Sequence, residues 1–182
     1  MIITISGLHG TGKSTIGKLI AEKLGIQYYS TGQAFRDLAQ EMNMTLEEFT
    51  KYVEDHPEID NKLDNKVIEV AKEGNIIVDS QLSGHLLKDI ADLRIHLTCP
   101  LEIRVKRMAL RDNNSYEESM KETILREKSE LERFNHLYSI DLSDANKIQE
   151  IHDIILTNEG LTIDEVLKKL LDIIKDKNLK KS

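Results

Sequence analysis

Near its amino end the chain places three glycines, a lysine and a serine in an order that suits phosphate chemistry: Gly7-Leu8-His9-Gly10-Thr11-Gly12-Lys13-Ser14, followed by Thr15. Glycines at these positions let backbone N–H groups approach and cradle phosphate oxygens. Lys13 brings a point charge to the outer phosphates, and the Ser14 hydroxyl suits a Mg²⁺ ion. The segment follows a short apolar, β-branched run, Ile2 to Ile5. It leads into Ile16, Leu19, Ile20 and Leu24 at helical spacing. A helix beginning here adds its positive amino end to the attraction for phosphate. The alternative is a coincidental glycine-rich turn, and the strand–loop–helix context argues against it. Gly7, Leu8, His9, Gly10, Thr11, Gly12, Lys13, Ser14 and Thr15 are therefore the expected set for a nucleoside triphosphate.

Other residues extend this chemistry. Asp79 ends an apolar run, Ile76 to Val78, and suits an acid that holds Mg²⁺ directly or through water. The chain has seven arginines: Arg36, Arg94, Arg104, Arg107, Arg111, Arg126 and Arg133. Arg104, Arg107 and Arg111 are spaced to share one helix face, as are Arg126 and Arg133. Planar, multi-donor guanidinium groups match phosphate oxygens. Glutamates nearby make a solvated ion-pair face the competing reading. These five arginines are expected to repel one another when no phosphate lies between them. Asn61-Lys62-Leu63-Asp64 matches the guanine-reading tetrapeptide of GTPases, but it lies in a helical segment and no Asp-x-x-Gly follows Asp79. It reads as a solvated helix face. No pair of histidines has metal-ligand spacing, and Cys99 reads as a small buried residue at a strand end.

The elements that position these groups follow from patterning. Strands are expected at residues 2–5, 26–29, 76–79, 93–98 and 151–156. Helical stripes and capping boxes lie between them: Thr45 with Glu48, Ser115 with Glu118, and Thr162 with Glu165. Pro57 suits the first turn of a helix, and Gly74 breaks it. Strands alternating with helices predict an α/β fold, a five-stranded parallel sheet with helices on both faces. Ligands of such sheets bind beyond the carboxyl ends of the strands, where the phosphate loop, residues 30–36 and Asp79 all fall.

Bulk properties exclude several functions. At 182 residues the chain suits one domain, 1–182. A net charge of −7 and the absence of Trp argue against a nucleic-acid surface. The apolar run 1–5 is too short for a signal peptide, and no stretch is long enough to span a membrane. One cysteine permits no internal disulfide and fits a cytoplasmic protein. The Lys-rich end, 175–182, reads as a frayed helix end or solvated tail.

The block Tyr28-Tyr29-Ser30-Thr31-Gly32-Gln33-Ala34-Phe35-Arg36, with the phosphate loop, resembles the nucleoside monophosphate kinases. In that family a Ser/Thr-Gly turn and an arginine bind the acceptor nucleotide. The finer similarity is to archaeal-type cytidylate kinases. It rests on Ser30 to Arg36, Leu46-Glu47-Glu48-Phe49, His56-Pro57-Glu58-Ile59-Asp60 and Cys99-Pro100-Leu101-Glu102-Ile103-Arg104. It continues through Arg126-Glu127 and Tyr138-Ser139-Ile140-Asp141, over nearly the whole chain. The resemblance implies a helical acceptor-binding insertion at about 31–73 and a lid at about 105–130. Thr31, Gly32 and Arg36 would hold the acceptor. Arg107 and Arg111 would serve the ATP side and the lid, and Arg126 and Arg133 would clamp the transferring phosphoryl group beside Lys13. Gln81, in Ser80-Gln81-Leu82-Ser83-Gly84, stands near the acceptor where the family pattern carries arginine. The implied activity is transfer of the ATP γ-phosphate to CMP, and to dCMP, with Mg²⁺ held by Ser14 and Asp79. The expected partners are the small molecules ATP and CMP, with no nucleic acid and no membrane, and a monomer is expected. AMP, UMP or a deoxynucleotide as acceptor, or a nucleotide-dependent binding module, remain rival readings. Candidate base readers are Gln33, Asp60 and Asp64.

Overall fold

The structure, a computed structural model, describes residues 1–179. Ile2–Ser6 forms β1, and its apolar residues pack into the sheet with little exposure. The helix α1, Lys13–Leu24, ends at Gly25, whose positive φ of 64° closes the last turn. Next come β2, Gln27–Ser30, and three helices: α2, Thr31–Glu41; α3, Leu46–Glu54; and α4, Pro57–Lys72. The strand β3, Ile76–Asp79, precedes the short α5, Ser83–Leu86, and then β4, Leu93–Thr98. Helices α6, Leu101–Asp112, and α7, Tyr116–Tyr138, form a hairpin. The chain closes with α8, Ala145–Ile151, β5, Ile154–Thr157, and α9, Ile163–Leu179.

All strand pairs are parallel, in the order β2-β3-β1-β4-β5. The expected α/β fold is therefore observed. β3 is buried on both faces, and its residues alternate between them. Ile77 joins Ile3, Ile5 and the inner stripes of α1 and α9, including Ile16, Ile20, Leu170 and Ile174. Ile76 and Val78 face Val67 and Ala71 of α4 and Leu87 on the other side. A separate cluster of Phe35, Ala39, Phe49, Val53 and Leu63 holds α2, α3 and α4 together. Phe35 and Phe49 meet edge to face with centroids 4.7 Å apart.

Local signals set most of the boundaries. The capping boxes at Thr45–Glu48 and Ser115–Glu118 have both reciprocal bonds. Thr162 and Glu165 make the same pair at the start of α9. Two short helices depart from the expectation. α5 follows β3 directly, and α8 occupies 145–151, capped by Asp144. β5 consequently starts at Ile154 rather than at 151, and Ile151 ends a helix. Residues 175–179 continue α9, whereas the rest of the expected solvated tail, 180–182, lies outside the described residues.

Candidate active site

The sheet register brings the carboxyl ends of three strands together. Asp79 pairs with Ile5 of β1 on one side and Ser30 of β2 on the other. The loop leaving β1 turns sharply at Gly7, φ 135°, and Gly12, φ 88°, conformations open to glycine. Its carbonyls are taken up by donors within the loop and beyond it. Thr11 Oγ1 and Lys13 Nζ donate to Leu8 O at 2.8 and 2.9 Å. Arg104 donates to His9 O at 2.8 Å, Arg107 Nη1 lies 3.5 Å from Gly10 O, and Asn158 Nδ2 reaches Thr11 O at 2.5 Å. Four successive carbonyls are bound in this way, and Leu8 O also accepts from Thr11 N at 3.4 Å. No side chain caps the amino end of α1. Convergent N–H groups at a helix start form an anion site.

Asp79, 2% exposed, collects three hydroxyls on Oδ2: Ser14 at 2.6 Å, Tyr28 at 2.7 Å and Ser30 at 3.3 Å. Burial and the Asp79 charge push the Tyr28 phenol well above its ordinary range, so it stays a donor. Burial lowers the Lys13 ammonium, while Asp79, Glu130 and Glu127 work against that shift.

One cavity of about 780 Å³ runs past this loop. At the β2 edge it is lined by Thr31, Gly32, Gln33, Phe35 and Arg36 of α2, by Asp60, Leu63 and Asp64 of α4, and by Arg133 and Phe134 of α7. Towards β5 its walls are Arg107, Met108, Asn158, Leu161 and Val166, and Arg111 comes near enough to Arg36 for the two charges to repel. His9, Gly10, Gly12, Lys13, Ser14, Thr15, Asp79, Gln81 and Arg126 lie between these ends. Of the nine residues expected to bind triphosphate, six line the cavity. Gly7, Leu8 and Thr11 lie behind it and shape the turn.

The arginines divide into different roles. Arg104, 4% exposed, is bound to Glu127, Cys99 O and His9 O. It braces the loop against α6 and α7 and does not line the cavity. Arg107 donates to Asn158 Oδ1 at 3.1 Å. Arg111 pairs with Asp112 at the exposed end of α6. Arg126 Nε meets Glu130 at 3.0 Å, and Arg133 Nε meets Asp60 at 2.9 Å. The expected mutual repulsion among Arg104, Arg107, Arg111, Arg126 and Arg133 is thus corrected: four of the five have a carboxylate partner. Arg133 Nη1 also donates to Ser129 Oγ at 2.9 Å, which leaves Nη2 of Arg133 and the Nη donors of Arg126 for a phosphate. Arg36 donates to Gln33 Oε1 at 3.0 Å, and burial together with Arg111 and Arg126 lowers its pKa.

Sequence reasoning missed three features. Glu130, 4% exposed, joins His9 Nε2 at 2.5 Å, Gln81 Nε2 at 2.7 Å and Arg126. The contacts with His9, Arg126 and Gln81 outweigh burial and hold this carboxyl far below the usual range. Gln81 is accordingly part of a network with the phosphate loop. A second feature is the tetrapeptide 61–64, expected to be a solvated face. Asn61 and Lys62 are exposed, but Leu63 and Asp64 are 7% and 8% exposed and line the cavity. The signal was present: 60, 63, 64, 67 and 71 form one helical stripe. The third is a histidine cluster behind β1. Ser6 Oγ lies 2.9 Å from His96 Nδ1 and 2.7 Å from His152 Nε2, with His85 against His152. No sequence spacing announces it. Among the described residues no group of His, Cys, Asp and Glu is arranged to hold a metal ion by itself. Cys99 is half-buried rather than buried. Among the described residues no helix is long and apolar enough to cross a membrane.

A strand–loop–helix phosphate cradle in the middle of a parallel sheet, faced by arginines from a helical hairpin, defines a P-loop phosphotransferase. Known proteins agree. The sequence-family profile described as AAA domain matches residues 3–135. The cytidylate kinase of Methanocaldococcus jannaschii is 39% identical, covering 100% of both chains. That of Sulfurisphaera tokodaii is 41% identical over 92% of each. The crystal structure of shikimate kinase from Bacteroides thetaiotaomicron has the same fold, with a TM-score of 0.64 at 16% identity over 96% of this chain and 98% of that one. The chain belongs to the cytidylate kinase family.

Proposed function

We propose that this protein transfers the γ-phosphoryl group of ATP to the phosphate of CMP, giving ADP and CDP. dCMP serves as a second acceptor. The observation that carries this reading is one continuous cavity with the phosphate loop at its middle. The wall with Arg36 lies at one end and the wall with Arg107 and Asn158 at the other. Two nucleotides entering from opposite ends would meet at Lys13, Arg126 and Arg133. A protein that only binds a triphosphate has no use for the Arg36 end.

An oxygen of the CMP phosphate attacks the γ-phosphorus, and the bond from that phosphorus to the β-bridging oxygen breaks. The nucleophile is already ionised near neutrality, so no strong general base is needed. Catalysis then consists of positioning and charge neutralisation. Backbone amides of residues 10–15 and Lys13 hold the β- and γ-phosphates. Arg36 holds the acceptor phosphate, with Thr31 and Gly32 beside it on the acceptor. Arg126 and Arg133 close on the moving phosphoryl group, and Arg107 and Arg111 serve the ATP side and the lid. Gln81 places its amide beside Glu130 and the loop. Insertion 31–73 and lid 105–130 move over the two nucleotides and exclude water, which would otherwise hydrolyse ATP.

Mg²⁺ fits the donors present. Ser14 Oγ and Asp79 Oδ2 are hard oxygen atoms 2.6 Å apart at the loop. This ion typically takes one or two protein oxygens and completes its shell with phosphates and water. Bound there, it would neutralise charge shared by the β- and γ-phosphates. The protein acts as a cytoplasmic monomer on small molecules, with no nucleic-acid or membrane partner. A coupled ADP-release assay with CMP, dCMP, UMP and AMP tests the reading. CMP-dependent release supports it, and release independent of any acceptor overturns it.

A further inference from the structure

Three polar atoms of cavity-lining residues are buried without a hydrogen-bond partner: Thr31 Oγ1, Asp64 Oδ2 and Gln81 Oε1. Native proteins pair nearly all such atoms, so an orphan in a ligand cavity points to the ligand. All three can accept a hydrogen bond. The carboxylate is the costliest of them to leave unpaired.

The structure separates the candidate base readers. Gln33 is engaged at the surface, donating to Asp37 at 2.7 Å and accepting from Arg36. Asp60 is held by Arg133 at 2.9 Å. Asp64, one turn further along α4, has a free acceptor. The hydroxyl of Tyr138 stands between the Asp64 carboxyl and Asn61 Oδ1, 3.2 Å from the latter, and favours the charged carboxylate while Oδ2 stays unpaired. Leu63, Phe35 and Phe134 line the same end of the cavity and supply apolar surface for a flat ring. We propose that Asp64 is the specificity residue for the acceptor base, its Oδ2 accepting the exocyclic amine of a cytosine ring. This inference rests on the reading of the protein as a CMP kinase.

Cytosine shows an amine donor beside a ring-nitrogen acceptor, and uracil shows the reverse. An ionised carboxylate can only accept, so it pairs with the amine and faces the uracil carbonyl with like partial charge. A neutral carboxyl carries one donor and one acceptor and suits both bases. Discrimination therefore requires ionised Asp64. Burial raises the pKa of this group to about 6, with Asp60 adding to the shift. The charged and titratable groups around it are Asp60 on its own helix, Tyr138 and Arg133 on α7, Tyr29 on β2, and Arg36 across the cavity. Base selection is consequently a function of pH, lost as Asp64 takes up a proton.

The test is the ratio of kcat/KM for CMP to that for UMP, at fixed ATP, between pH 8 and pH 5. For the wild type the ratio should be on the order of 10² or more at pH 8, since a site built to pair a polar group rejects its mismatch strongly. It should fall as pH passes below about 6. In Asp64→Asn the amide can donate or accept, so at pH 8 the ratio should drop at least about tenfold and no longer depend on pH. At pH 8, where Asp64 is ionised with or without its neighbour, Asp60→Asn should change the rate with both acceptors and leave their ratio alone. An unchanged ratio in Asp64→Asn, or a wild-type ratio that is flat across pH, overturns the inference. If Asp64→Asn does not fold, the wild-type profile decides. Wild type that selects CMP with a flat ratio refutes only the role of Asp64. Wild type that phosphorylates no monophosphate refutes the kinase reading and this inference with it.

Discussion

Glu130 Oε2 lies 2.5 Å from Nε2 of His9, so a carboxylate of α7 is bonded directly into the phosphate loop. The same oxygen accepts from Gln81, and its partner oxygen accepts from Arg126. Because a carboxylate only accepts, the Gln81 amide is oriented with its nitrogen towards Glu130. Glu130→Ala removes the anion from a site 4% exposed, leaves Arg126 without its carboxylate, and leaves Gln81 Nε2 and His9 Nε2 only each other, 3.1 Å apart. Breaking a buried pair in this way costs about 3 kcal/mol or more. A denaturant titration should show that loss, and Glu130→Gln should lose less because it keeps one acceptor. Equal stability of wild type and Glu130→Ala would mean that the network is not a structural tie.

Arg36→Ala should weaken CMP and leave ATP nearly unchanged. Arg36 lines the β2 end of the cavity, on the first turns of α2, away from Asn158 and Val166. Loss of one charge-assisted phosphate contact is worth roughly 1.5–3 kcal/mol, or about tenfold to a hundredfold in affinity. Separate titrations of each nucleotide decide this. A loss confined to ATP would reverse the assignment of the two ends.

Hydrogen exchange should divide α6 and α7 into a fixed root and a responsive tip. Arg104 bonds to His9 O of the phosphate loop and Arg133 to Asp60 of α4, which tie the root to the rest of the molecule. The tip carries exposed Leu110, Ile124 and Leu125, with Asn113 in a left-handed turn. A bisubstrate analogue should raise protection over 110–125 more than over 127–138. Uniform change along both helices would contradict a closing tip.

Acid should destabilise the protein through the histidines behind β1. Burial lowers the pKa of both His96 and His85 to about 4, and lowers that of His152. Above the unfolded value of about 6.5 these groups are neutral in both states and pH has no effect through them. As pH falls from about 6.5 towards 4, the unfolded chain takes up protons that the folded protein refuses. For His96, 7% exposed, the loss approaches about 3 kcal/mol near pH 4. His96→Asn should flatten the stability profile over this range in urea titrations. A wild-type midpoint constant from pH 7 to pH 4.5 would remove the cluster from the account.

Much of this architecture is legible from neighbours in sequence. The phosphate loop is a contiguous pattern, and each capping box lies within four residues, so both survive without knowledge of the fold. β4 was bounded correctly by its apolar run and Pro100. α8 has no counterpart among the expected elements, because none of its seven residues is buried and they leave no stripe to read. The site beyond the loop depends on distant pairs. Nothing local distinguishes Arg104, a brace, from Arg107, three residues later, on the cavity wall. Asp64 and Glu130 carry a weak signal as acids on the inner side of their helices, but what they face is set by tertiary packing. Ser6, His96 and His152 meet only when β1, β4 and the segment before β5 lie side by side.

Direct product analysis tests the central claim. With ATP, Mg²⁺ and CMP, the protein should form CDP and ADP in equal amounts. Lys13→Ala should slow both together by on the order of 10²–10³, the usual effect of removing one preorganised charge. ADP formed without matching CDP, or CDP formation retained above about a tenth of the wild-type rate in a folded Lys13→Ala variant, would contradict phosphoryl transfer at this loop.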